Sequence, residues 1–166
     1  MRENIDFIIE ETANCKMIFR FLPQESQYYD NSSNSEEKPK LYYSYKIITM
    51  YDDGTIIDTF SSGRDECSVI DEVALACDLL SKGQKEIIKT TFDKTITIRL
   101  LNSEMYPLGD GVSWIIRRPF VDKYCFQMFK WDNTGYRFYL KKERMKEFAD
   151  YLNECCEYML KHGEPI

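Results

Sequence analysis

Short apolar-rich runs suited to extended strands recur along this chain, some with a period of two, and a helical period of apolar residues appears in two places. Residues 5–12 (IDFIIEET) and 16–22 (KMIFRFL) predict two strands about Ala13-Asn14-Cys15, since Ile, Phe and Thr favour a pleated surface and Asn14 suits a turn. Phe7-Ile8-Ile9 also fits the opening of a short helix. Leu41–Tyr51 (LYYSYKIITMY) predicts one long strand. Asp52-Asp53-Gly54 follows as a hairpin turn, with the glycine supplying positive φ, and Thr55–Phe60 returns. A helix is expected from about Asp65 to Lys82, with Val69, Ile70, Val73, Cys77 and Leu80 as its buried stripe and Gly83 closing it.

In the second half, Gln84–Thr91 and Lys94–Leu101 predict a hairpin across Phe92-Asp93. Ile96, Ile98 and Leu100 fall on one face of its second strand, and Thr95, Thr97 and Arg99 on the other. A loop spans Asn102–Gly111, then Val112–Arg118 is a strand ended by Pro119. Asp122–Trp131 is the next, Asp132-Asn133-Thr134-Gly135 a hairpin turn, and Tyr136–Leu140 the return. The last helix runs from about Lys142 to Lys161 on a stripe of Phe148, Leu152, Cys156 and Met159, stopped by Gly163 and Pro165. Residues 23–40 (PQESQYYDNSSNSEEKPK) have no periodicity and read as a flexible loop.

Two parts of this order echo each other. MYDDGTIIDTF and a helix ending LLSKG match KWDNTGYRFYL and a helix ending MLKHG; Gly54 and Gly135 lie 81 residues apart, Gly83 and Gly163 80. The pattern predicts an α+β fold in a single domain, residues 1–166. Its two repeated units, about 1–83 and 84–163, would each hold four antiparallel strands and a helix. This order resembles the Whirly family of single-stranded nucleic acid binders. It is equally similar to a dimer of the related positive-cofactor-four coactivators and to the single-strand-binding proteins of some phages. The resemblance implies a Whirly-like fold and a tendency to bind single-stranded DNA or RNA.

Charge is segregated along the chain. Trp114 to Lys146 holds nine Lys/Arg against three acids, a net +6 in a protein of net −6, which leaves −12 for the rest. The same stretch carries nine aromatics: Trp114, Phe120, Tyr124, Phe126, Phe129, Trp131, Tyr136, Phe138 and Tyr139. Rings set among cations suit a single strand, because bases stack on rings and phosphates seek positive charge. Alternation puts Tyr124, Phe126 and Met128 with Tyr136, Phe138 and Leu140 as core under a helix. It leaves Lys123, Gln127, Phe129, Trp131, Arg137 and Tyr139 on an uncovered face. Of Arg117 and Arg118, which point to opposite faces, at most one joins it; Tyr42, Ser44 and Lys46 are the counterparts on the other sheet. The nucleic-acid-binding set is therefore Lys123, Gln127, Phe129, Trp131, Arg137, Tyr139, Arg117, Lys46 and Tyr42. A face of this kind also fits a second chain or a protein partner, so the alternative is an acidic protein-interaction or inhibitor module of bacterial or phage origin, and homo-oligomers are expected.

Catalytic signatures are missing from the sequence: no phosphate-binding glycine loop, no Gly-x-Ser-x-Gly, no CxxC, and a single histidine, His162. Asp52-Asp53 are accounted for by a turn, and Asp65-Glu66 and Asp71-Glu72 by the start of a helix. No enzyme activity, metal or cofactor is expected. The acid-bearing N-terminus has no signal-peptide pattern and no apolar run approaches a membrane span. The reading is a cytoplasmic protein whose six cysteines are reduced.

Overall fold

Residues 5–11 form a strand rather than a helix, because Ile5, Phe7 and Ile9 are buried while Asp6, Ile8 and Glu10 face solvent. The computed structural model describes residues 5–30, 39–62, 69–83, 99–101, 112–120, 122–130 and 134–166. In chain order the strands are β1 (Ile5–Glu11), β2 (Cys15–Phe21), β3 (Gln27–Tyr29), β4 (Lys40–Tyr42), β5 (Tyr45–Tyr51), β6 (Ile56–Ser61), β7 (Arg99–Leu101), β8 (Val112–Phe120), β9 (Lys123–Lys130) and β10 (Gly135–Lys141). The helices are α1 (Val69–Ser81), after β6, and α2 (Met145–His162), after β10. One four-stranded sheet has the order β1-β2-β5-β6, a second β10-β9-β8-β7, and β3 pairs with β4 alone. All pairings are antiparallel. The class is α+β, and no described helix is long and apolar enough to cross a membrane. The expected strand at 84–91, most of its partner at 94–101, the first turn of the first helix, the loop at 102–111 and the first half of the turn at 132–135 lie outside the described residues.

The inner faces of both sheets and both helices share one hydrophobic cluster. Phe148 of α2 is its junction. Its ring centroid lies 5.1 Å from Phe7 and 5.6 Å from Phe19 of the first sheet, and 5.8 Å from Phe126 and 6.1 Å from Phe138 of the second. Trp114 of β8, fully buried, joins the same sheets through Tyr45 at 5.9 Å and Phe126 at 6.4 Å. The sheets cross. Tyr136, near the start of β10, meets Thr49 of β5 and Phe60 of β6, whereas Arg144, just after β10, lies over Phe7 of β1 and donates to Ile9 O at 3.0 Å. A strand that reaches from one edge of a four-stranded sheet to the other, ~14 Å, must run across it. Tyr151 locks α2 to this floor: its buried hydroxyl donates to Ile5 O at 2.6 Å and reaches Phe19 O at 3.2 Å, and burial drives its pKa far upward. The helices run antiparallel, with Lys146 at the start of α2 beside Asp78 near the end of α1 and Cys156 beside Asp71 near its start. Burial and the neighbouring Asp71 carboxylate push the Cys156 thiol up to about 11.

Two sequence expectations are corrected here. The segment 23–40 is not loop throughout: Pro23–Glu25 is a 3-10 turn, and β3 pairs with β4. Tyr28 O accepts from Ile166 N at 2.7 Å, and Ser26 Oγ bridges Leu22 O and Ser44 N, each at 2.8 Å; residues 31–38 lie outside the described set. The expected strand Leu41–Tyr51 is broken between β4 and β5. Tyr43 and Ser44 lie between the two strands, and both are buried. The break inserts Ser44 among the hydrogen bonds of Ser26 and Glu25.

β6 is an edge of the first sheet. Ser62 N bonds inward to Tyr45 O, so by alternation the amide of Thr59 points outward; it is taken by Asp58 Oδ1 at 2.9 Å. Ile57, next to Asp58, falls at a break in the register.

Phe148→Ala is expected to destabilise the fold by about 3–5 kcal/mol in chemical denaturation, as emptying a filled aromatic site does. Tyr151→Phe keeps the shape and removes one buried donor, so a loss of about 1–2 kcal/mol is expected in the same measurement.

Candidate nucleic-acid interface

β8, β9 and β10 contain six Lys/Arg and no acid: Arg117, Arg118, Lys123, Lys130, Arg137 and Lys141. The inward side of β9 and β10 carries Tyr124, Phe126, Met128, Phe138 and Leu140, all buried, with Tyr136 packed against them. The other side is therefore set by alternation, and the register fixes which residues stand opposite each other. Lys123 faces Lys141. Cys125 faces Tyr139 on one flank and Arg117 on the other. Gln127 faces Arg137 and Ile115, and Phe129 faces Gly135. Lys130 N to Thr134 O and Lys142 N to Asp122 O, both 2.8 Å, bracket the β9–β10 ladder. By alternation, the four outer pairs between β9 and β10 occupy the non-hydrogen-bonded positions, where facing side chains approach most closely.

The outer face thus forms four rows, spaced ~7 Å along the strands. Phe129 is 40% exposed and Tyr139 38%, so both residues are partly open to solvent. The Phe129 ring lies against Gly135, where a Cβ would stand 3.6 Å from its Cδ1. Arg137 and Lys141 are exposed and Lys123 is half-buried; among the described residues none of the three makes an ion pair.

Gln127 departs from expectation. It is only 9% exposed, because its Oε1 accepts from Arg117 Nε at 2.7 Å and it lies between Arg117's strand and Arg137. It is a positioning residue for Arg117 rather than an open contact. Tyr42 is not on the larger sheets: it faces Gln27 in the β3–β4 pair. Ser44 is buried. Lys46 stands on the outer face of the first sheet, opposite Arg20 and Ser61. The arginine there is already neutralised, since Arg20 makes a two-pronged contact to Asp6 at 2.9 and 3.1 Å, which raises the Arg20 pKa. The structure therefore brings together Lys123, Gln127, Phe129, Arg137, Tyr139 and Arg117, and leaves Lys46 and Tyr42 elsewhere. Trp131 lies outside the described residues.

Sequence reading missed Lys141. The return strand was ended at Leu140, but the period-two series Arg137, Tyr139, Lys141 carries the signal, and β10 runs through Lys141. Among the described residues, no group of three or more His, Cys, Asp or Glu is placed to hold a metal ion. Compared with known proteins, the chain matches no family model and no curated protein.

Like charges directly opposite on a sheet repel, and opposite charges there attract. Lys141→Glu is accordingly expected to raise stability by about 0.2–1 kcal/mol at low ionic strength, with the gain fading as salt screens the pair, read from denaturation midpoints.

Proposed function

We propose that this chain is a non-enzymatic binder of single-stranded nucleic acid, which lies along the outer face of β8, β9 and β10. The observation that carries the reading is the combination on that face of half-exposed Phe129 and Tyr139 with Lys123, Arg137 and Lys141, which make no ion pair among the described residues. A single strand supplies what such a face lacks, unpaired bases for the rings and phosphates for the cations. A duplex hides its base faces and satisfies only the cations. Gln127 supports the reading by holding the Arg117 guanidinium beside the face.

The same reading takes the two halves as repeated, Whirly-like units. Its support is the order of elements: the β1-β2-β5-β6 sheet precedes α1, and the β10-β9-β8-β7 sheet precedes α2. In this view the halves have diverged in charge, with Arg20 of the first paired to Asp6 and the cations of the second left for ligand.

The test is fluorescence anisotropy with labelled single-stranded and duplex oligonucleotides over a range of salt. Single strands are expected to bind more tightly than duplex. The log of the binding constant should fall with log salt at a slope of roughly −3, for the charges of the four cations Lys123, Arg117, Arg137 and Lys141. Phe129→Ala and Tyr139→Ala should each weaken binding by about 1–3 kcal/mol, and Lys123→Glu with Arg137→Glu should abolish it. Absence of single-strand binding at low salt would overturn the reading and turn the search to a protein partner.

A further inference from the structure

Two lysines at one end of the face are held together by the backbone against their own repulsion. Lys123 and Lys141 are directly opposite at a non-hydrogen-bonded position, where Cα atoms stand ~4.5 Å apart. Among the described residues neither pairs with a carboxylate. Arg117 stands one row away, across β9. Beyond this row β9 and β10 end: Asp122 is in a turn, and Lys142–Arg144 coils into a 3-10 turn that leads into α2. Charge is thus concentrated where a strand laid along the face would end. The next row inward, ~7 Å away, presents the exposed part of Tyr139. That separation is about the reach from a nucleotide's phosphate to its own base.

We propose that Lys123 and Lys141 hold the terminal phosphate monoester of a single strand, with the terminal base stacked on Tyr139; the proposal rests on the single-strand reading above. A monoester carries about −1.5 to −2 at neutral pH, where an internal diester carries a single charge, so it matches the two charges of a lysine pair. Arg137, one row further, takes the next phosphate along, and Phe129 a later base. The protein then distinguishes a phosphorylated strand end from a hydroxyl end, and its preferred ligands are strand ends rather than the middle of long single strands.

The experiment uses the full chain and internally labelled oligothymidylates of about 10 nucleotides. They bear a 5′-phosphate, a 3′-phosphate or hydroxyls at both ends. At about pH 7.5, one phosphorylated form is expected to bind about tenfold more tightly than the hydroxyl form. The ratio should shrink at about pH 5, where the monoester, with its second pKa near 6, takes up a proton. It should fall toward one in Lys141→Gln and in Lys123→Gln, two conservative changes at positions outside the core. Equal affinity for all three oligonucleotides in the unmodified protein would overturn the terminal-phosphate proposal and leave the single-strand reading standing. A phosphate advantage that persists in both variants would also overturn it. Failure of every oligonucleotide to bind would remove both.

Discussion

The packing of Phe148 between two crossing sheets is the constraint on which the rest of this structure depends. Each sheet has one face to give to a core, and rings from both are gathered round the same residue of α2. Because the sheets cross, a few large side chains fill the space between them: Phe19, Tyr45, Trp114, Phe126, Phe138 and Phe148 are all fully buried. Large rings there replace what two aligned sheets would fill with a longer double row of aliphatic side chains. With the inner faces committed, whatever chemistry the strands offer the outside is displayed on the outer ones, and alternation decides which residues those are.

Much of this was legible because the period-two pattern carries its own sorting. Tyr124, Phe126 and Met128 read as core from sequence and are buried; Phe129 and Tyr139 read as outward and are partly exposed. The stripe of α1 was readable for the same reason, with Ile70, Val73, Cys77 and Leu80 all buried. What sequence could not supply was the environment of polar residues that belong to no period. Gln127 occupies an outward position yet is nearly buried, because a neighbouring arginine lies against it. Ser44 looked like a strand residue, but its burial comes from hydrogen bonds to residues 18 and 19 positions earlier, a separation no local pattern encodes. The β3–β4 pairing was hidden likewise: its short strands are rich in Gln, Lys and Tyr and show no hydrophobic alternation. Placement on the outer face was legible for Phe129, Tyr139, Lys123, Arg137 and Arg117. It was illegible where membership depended on which sheet a strand joined, as for Tyr42.

The two large sheets show how similar strands come to differ electrically. In the first, Asp6 and Arg20 stand opposite each other and cancel. In the second, the outer pairs of β9 and β10 match lysine with lysine and glutamine with arginine. The folded chain is acidic as a whole yet presents one face whose strands hold only positive charge. A polyanion approaching from solution meets net repulsion at long range, screened within about 8 Å at physiological salt, and attraction only near that face. Such a distribution disfavours indiscriminate adhesion and favours a ligand that arrives in one orientation.

The edge strand β6 has a consequence for how copies of this protein behave at high concentration. Ile56 and Ile57 leave apolar surface exposed there, a condition under which open edges recruit further strands and grow into fibrils. The outward amide of Thr59 is already occupied by the carboxylate of Asp58, and the register break at Ile57 spoils the flat run an incoming strand needs. An approaching edge would forfeit a hydrogen bond and confront a fixed negative charge. Crowded molecules should accordingly remain dispersed at this margin, and the exposed isoleucines need no covering element of their own.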